Sequence, residues 1–257
     1  MRVKEIASYS EMIVSLIRRE LRGRYQKSFL GILWNFLNPL CQILVYTIVF
    51  QFIFNNGMEN FYIYLSIGTI PWCFFSEAVT VGAGSIVANS DMVKKIYFPR
   101  EVLCIASVTA KFINMVLSFS IIFLFLFLSG MGVKPQLLLW LLPVMAAEYF
   151  TTLGMALFFS SVTVYLRDVE YIVGVLMMGW VWATPIMYTI DGLGTGVVRI
   201  LLLNPLTRII IAFHDILYYQ TAPNGVSVLA ALILGVAILV IGEVTFVGLE
   251  KNFAEEL

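Results

Sequence analysis

Residues 102–129 read VLCIASVTAKFINMVLSFSIIFLFLFLS, 28 positions in which Lys111 is the single charge. A helix needs about 20 mainly apolar residues to cross the ~30 Å hydrocarbon core of a bilayer. A run this long and this apolar therefore predicts a transmembrane helix. Five other runs share its character, at 29–54, 61–88, 137–165, 171–190 and 226–249. Short polar breaks separate them at Asn55-Asn56-Gly57, at 89–101, at 130–135 and at 166–170. The composition agrees: 60% hydrophobic and 12% charged residues, with mean hydropathy +0.92, where a soluble domain carries about 25% charged residues. The fold class predicted is an all-α membrane protein with six transmembrane helices over 29–250. A cytosolic N-terminal region, 1–28, and a cytosolic C-terminal segment, 251–257, flank them.

Orientation follows from lysine and arginine. With the N-terminus inside, 12 of the 16 lie on the cytosolic side, Lys134, Arg199 and Arg208 lie outside, and Lys111 sits within a span. The positive-inside rule then puts both termini in the cytosol. The polar, charged start up to Lys27 lacks the form of a cleaved signal, so the first span is expected to be retained. Within that start, Tyr9, Met12, Ile13, Leu16, Ile17 and Leu21 recur at helical spacing. Arg18, Arg19 and Arg22 occupy the other face, which predicts an amphipathic interface helix with a basic side. The connection over 191–225 is longer than a simple turn needs, and two short helices divided at Asn204-Pro205 are expected there, near the outer surface.

Four ionisable residues fall inside spans: Glu77, Lys111, Glu148 and Glu243. Each is costly there unless paired or hydrated. Glu77 precedes the end of its span by 11 residues and Lys111 follows the start of the next by 9, so on antiparallel helices they share a depth. A Glu77–Lys111 ion pair or shared hydrated site is predicted, with Glu148 a less well-matched partner for Lys111. A proton relay is the competing use of such charges, although no chain of carboxylates or histidines crosses the sequence. His214, beside Asp215, reads as a solvated or interfacial residue. Cys41, Cys73 and Cys104 lie in apolar runs and read as small buried residues. Aromatic residues are frequent in the spans. Belts at both interfaces account for many of them, but Trp34, Trp72, Phe74, Phe75, Trp180 and Trp182 share their spans with Asn35, Asn38, Gln42 and Thr184, a set suited to stacking and hydrogen bonding against sugar rings.

The chain has no GxxxxGK[ST] motif and no Gly-Lys pair, so a P-loop is excluded. It also lacks HExxH, GxSxG and metal-ligand spacing. No catalytic residue and no metal ligand is assigned, and the formal net charge of +0 provides no basis for binding nucleic acid. Energy for uphill transport must therefore come from an ion gradient or another subunit. A membrane-embedded transferase would need clustered carboxylates or histidines at a membrane face, where only Asp168-Glu170 and His214-Asp215 come near. An ion-coupled carrier calls for inverted repeats or more intramembrane charge.

The stretch Arg24-Tyr25-Gln26-Lys27-Ser28-Phe29-Leu30-Gly31-Ile32-Leu33-Trp34, followed by Asn38-Pro39-Leu40, resembles the permease subunits of ABC-type polysaccharide and polyol-phosphate exporters. Four more stretches agree in order: Val93-Lys94-Lys95-Ile96-Tyr97-Phe98-Pro99-Arg100-Glu101, Arg167-Asp168-Val169, Thr184-Pro185-Ile186-Met187-Tyr188 and Asn204-Pro205-Leu206. The resemblance implies a non-enzymatic homodimer in the cytoplasmic (inner) membrane, joined by two copies of a cytosolic ABC ATPase. ATP and Mg would bind to the ATPase, and this chain would carry no cofactor. Its expected cargo is a polyprenyl-diphosphate-linked polysaccharide such as O-antigen, with teichoic acid or, further off, a small molecule or lipid as alternatives. By the same resemblance, Arg18, Arg22, Lys94, Lys95, Tyr97, Phe98, Pro99, Arg100 and Glu101, with Arg167 and Asp168, would couple to the ATPase. Tyr97 and Phe98 form an apolar knob with a charged rim in this reading. Trp34, Asn38, Trp72, Phe74, Phe75, Trp180 and Trp182 would line the channel, and Pro185, Tyr188, Asn204 and Pro205 would belong to an exit gate.

Overall fold

The computed structural model describes residues 2–23, 33–53 and 57–257, the side chains at 2–4, 22, 23, 35, 52, 53 and 254 excepted. Among the described residues there are helices and no strand. Two helices, α1 (Arg2–Ser8) and α2 (Ser10–Gly23), precede α3 (Trp34–Ile48), which widens into a π-helical turn over Val49–Ile53. The long helices α4 (Phe61–Ala88) and α6 (Glu101–Leu128) are joined through α5 (Ser90–Lys95). A single turn, α7 (Pro135–Leu138), leads into α8 (Leu141–Tyr165). Next come α9 (Asp168–Trp180), α10 (Thr195–Leu201), α11 (Pro205–Leu217) and α12 (Gly225–Leu249), and a 3-10 turn, Glu250–Asn252, ends in α13 (Phe253–Glu256).

Local chemistry sets these boundaries. Asn204 and Asn224 each accept backbone N–H groups on Oδ1 at the starts of α11 and α12, with Pro205 preset for the first position of α11. Asp168 and Glu170 favour the positive end of the α9 dipole. The turn between α6 and α7 passes through Gly130 and Gly132 at φ of 74° and 67°, a region glycine enters without strain.

Among the described residues four helical stretches are long and apolar enough to cross a membrane: Phe61–Ala88, Glu101–Leu128, Pro135–Tyr165 and Gly225–Asn252. A fifth is added if α10 and α11, bent by 101° at Asn204-Pro205, count as one. Four of the six runs anticipated from hydropathy thus appear as continuous helices. The run at 29–54 begins and ends outside the described residues and is represented by α3 and its π turn. The run at 171–190 departs from expectation, since α9 stops at Trp180 and the chain continues in turns and bends up to α10. Pro185 removes a donor and restricts Thr184 before it, so a helix cannot continue through this point without loss. At 1.5 Å per residue the 13 residues of α9 cover only about 20 Å.

Helix α4 is central, packing against α3, α6, α8, α9 and α11. The closest pair is α8 with α12, where Gly154 and Gly242 let the two backbones meet: a Cβ on Gly154 would lie 2.5 Å from the Leu239 backbone, and one on Gly242 would run into the Gly154 carbonyl. The far side of α12, through Leu229, Ile233, Val240, Ile241 and Val244, is exposed, as a lipid-facing helix requires. One end of the bundle holds both termini, tied by Arg19 Nη2 to Asn89 Oδ1 (2.7 Å) and by Tyr165 Oη to the Leu249 carbonyl (2.8 Å). The opposite end is closed by Tyr218 Oη on the Glu59 carbonyl (2.5 Å) and by the Gln220 amide on the Met131 and Gly132 carbonyls (2.8 and 3.0 Å).

Candidate functional site

Three groups of residues stand out along the bundle axis. At mid-depth, Lys111 Nζ on α6 lies 2.6 Å from Glu77 Oε2 on α4. The Lys111 side chain is 10% exposed and that of Glu77 is 42% exposed. They lie in a cleft with Trp34, Asn38 and Pro39 of α3, Phe74 of α4, and Asn114 and Ser118 of α6. Next to it, Cys73 Sγ donates to Gln42 Oε1 at 3.2 Å, linking α4 to α3. Glu148 is not the partner of Lys111: its carboxyl oxygens are buried and meet no hydrogen-bond partner among the described residues.

The aromatic residues expected on a channel divide in two. Trp34 and Trp182 are exposed and Phe74 edges the cleft. Trp72 and Phe75 are buried, their rings tilted at 45° with centroids 5.7 Å apart, and Phe75 meets Trp180 edge-on at 5.5 Å, so this trio holds α4 to the end of α9. Asn35 carries no described side chain. Cys104 is buried and Cys73 partly so, but Cys41 is exposed on α3, against expectation, because the apolar run it occupies has one face turned away from the bundle.

The end holding the termini forms a cavity of about 630 Å³ lined by Glu5, Val93 to Glu101, Glu250 and Lys251. Lys94 and Lys95 are exposed around it, Arg167 and Asp168 are exposed at the neighbouring start of α9, and Arg18 is exposed on α2. The side chain of Arg22 lies outside the described residues. The expected two-residue knob is instead a single residue. Tyr97 is 91% exposed, but Phe98 is 5% exposed and joins the core. Ile96 is extended, at φ −129° and ψ 137°, and successive side chains on extended backbone point opposite ways. Helix α2 lays Leu16, with Met12, Ile13 and Ile17, on the bundle. Its Arg19–Asn89 tie was not anticipated, and no spacing rule signals a contact made 70 residues away.

At the opposite end, Asn204 both caps α11, accepting from the Leu206 N–H at 3.1 Å, and donates to Thr184 Oγ1 at 3.1 Å. Tyr188 donates to the Trp182 carbonyl and accepts, on its own carbonyl, the Tyr64 hydroxyl at 3.1 Å. Pro185 is buried beside them. His214 is not solvated: it is 2% exposed, stacked 3.8 Å from the Tyr64 ring, with Nε2 3.0 Å from the Tyr64 carbonyl. Its neighbour Asp215 suggested water, but α11 turns His214 inward. Asn204→Ala is expected to cost about 1–2 kcal/mol through the lost cap and the orphaned Thr184. Asn204→Asp, which keeps the cap acceptor and loses only the donor, should lower the melting temperature of the detergent-solubilised protein less. Equal losses in the two variants would show that the Thr184 contact alone matters.

Among the described residues no group of three or more His, Cys, Asp or Glu could hold a metal ion. Comparison with known proteins gives a consistent picture. The profile of the ABC-2 type transporter family matches residues 11–218. The O-antigen export system permease protein RfbA of Myxococcus xanthus is 32% identical over 99% of this chain and 98% of its own length. A protein of the same name from Klebsiella pneumoniae is 29% identical over 96% of this chain and 95% of its own. The polysialic acid transport protein KpsM of Escherichia coli is 23% identical over 88% of this chain and 91% of its own.

Proposed function

The chain belongs to the ABC-2 type transporter family, and from that premise we propose that it is the conduit-forming permease of an ATP-driven exporter for a lipid-linked, O-antigen-like polysaccharide. Its full-length relatives are permeases and transport proteins for O-antigen and polysialic acid, which supports a polysaccharide cargo. The geometry supports a cargo path along one side of the bundle. A carboxylate 42% exposed at mid-span, with its lysine partner, cannot face hydrocarbon at tolerable cost. The surface around Glu77, with Trp34, Asn38 and Asn114, is therefore the water-facing side. Indole faces and amides there suit sugar rings and hydroxyls. This is the observation that carries the conduit.

On this reading one chain supplies one wall of the passage and a second copy the other, so the open cleft around Glu77 supports a homodimer. Six crossings with both termini on one side follow if α3 and the α9 segment each count as one beside the four long helices. The excess of Lys and Arg at that end supports a cytosolic placement in the cytoplasmic membrane. The same end, with Tyr97 projecting from a basic rim, is the surface for a partner ATPase, which would supply ATP and Mg chemistry.

Co-purified with its ATPase and reconstituted in vesicles, the permease should stimulate ATP hydrolysis in the presence of a lipid-linked glycan and move that glycan across the bilayer. Tyr97→Ala is expected to reduce both the stimulation and the export about tenfold, in the range for removing an interface anchor, while protein level is unchanged. Export of a polyol-phosphate polymer in preference to a neutral glycan would redirect the substrate assignment. An unaltered Tyr97→Ala variant would remove the ATPase surface from the reading.

A further inference from the structure

We propose that the segment from Leu249 to Phe253 is a clasp that joins the two loops at the ATPase-facing end into one moving body, with Phe253 as its positioning residue. The proposal rests on the reading of those loops given above and deepens it. The loop ending at Arg100 and the loop beginning at Tyr165 leave different helix pairs and make no need of each other in sequence. Both are held by the same few residues after α12. Arg100 Nη1 donates to the Glu250 carbonyl, and its guanidinium lies 5.7 Å from the Phe253 ring centroid. Tyr165 Oη donates to the Leu249 carbonyl at 2.8 Å, and its ring stands 6.2 Å from that of Phe253. Phe253 is 0% exposed and also meets Phe246 edge-on at 5.4 Å, which fixes it to α12 itself.

Several physical features favour a mechanical role. A helix that merely ends needs no buried aromatic residue beyond its last turn, and chain ends fray unless tied down. Here the tie is made to side chains from both loops at once. Cation–π and edge-on ring contacts have preferred geometries and stabilise beyond the area they bury, so they resist separation of the groups they join. Lys251 and Glu250 line the cavity that also holds Tyr97, so a load applied at the exposed tyrosine reaches Arg100 three residues later, then Phe253, and from there Tyr165 and α12. Coupling along such a chain of packed groups requires two bodies that respond together, and the clasp makes the two loops respond as one.

Spin labels at Ile96→Cys and Leu166→Cys, both exposed positions, in a chain with Cys41→Ser, Cys73→Ser and Cys104→Ala, diluted into unlabelled chain so that each complex holds at most one labelled copy, report the separation of the two loops in the full complex. Wild-type background should give one narrow distance distribution. Phe253→Ala should broaden it and reduce export about tenfold, with ATPase co-purification and basal hydrolysis retained, and Phe253→Tyr should restore both. Tyr165→Phe removes one hydrogen bond, keeps every ring, and should broaden the distribution to a smaller degree without threatening the fold. An unchanged distribution in both variants overturns the clasp. If the wild-type chain fails to retain an ATPase, the earlier functional reading fails, and the label distances still decide the clasp.

Discussion

Lys111→Met is expected to lower export at least about tenfold, equivalent to about 1.4 kcal/mol in the barrier. The substitution keeps the length of the side chain and removes only its charge. Glu77, 2.6 Å from the ammonium group in the native chain, then loses that charged contact at mid-span, where its own charge becomes costlier and favours uptake of a proton or of water. Either response alters the floor of the cleft that Trp34, Asn38 and Asn114 border. Glu77→Gln should also impair transport, since it takes the carboxylate away from the ammonium group. The double variant should be less damaged than the product of the two single losses, because the contact removed by the second change is already lost with the first. Export and surface expression of all four chains, measured side by side, give the coupling directly. Strictly multiplicative losses would mean that the two residues act separately, and the pair would lose its place in the conduit.

The second large effect concerns folding. Gly154→Val should remove the folded protein from the membrane. A Cβ at that position would sit 2.5 Å from both Cα and N of Leu239 and 2.6 Å from the Ile238 carbonyl carbon, all backbone atoms that cannot rotate aside. Overpacking of a rigid contact costs about 1–3 kcal/mol and more when backbone must move, a large fraction of typical net stability. Lipid offers no compensating hydrophobic drive for helix association, so close backbone approach is what holds α8 and α12 together. Gly248→Ala provides the control, since nothing lies within 4 Å of a Cβ there. It should be neutral or slightly stabilising by helix propensity. Gel filtration in detergent distinguishes the two. A monodisperse, fully expressed Gly154→Val protein would show that the α8–α12 contact is looser than described.

Much of the architecture was legible because the bilayer imposes a length. The helices α4, α6, α8 and α12 coincide with apolar runs of 20 residues or more, and for an unbroken run of that length a helix satisfies every backbone group within the segment itself. Depth was legible for the same reason. A constant rise per residue puts Glu77 and Lys111 at one level on antiparallel helices, and the structure sets their charges side by side. Hydropathy failed at the run over 171–190, where apolar character continues past Trp180 but Pro185 does not permit helix. There the backbone groups are met by Asn204 and Tyr64 from elsewhere in the chain.

Direction around each helix axis was not legible. Trp72 and Phe75 look as suited to a channel as Trp34 and Trp182, yet the first two are packed inside and the last two are exposed. Tyr97 and Phe98 are adjacent and similar, and one extended residue before them sends the first outward and the second into the core. His214 is drawn inward by the ring and carbonyl of Tyr64, 150 residues distant. Apolar length, the sign of the loops and the need of a buried charge for a partner are properties of the chain read along one dimension. Which face of each helix meets lipid, cargo or another helix depends on rotation about the axis, and rotation is settled only when all the helices pack at once.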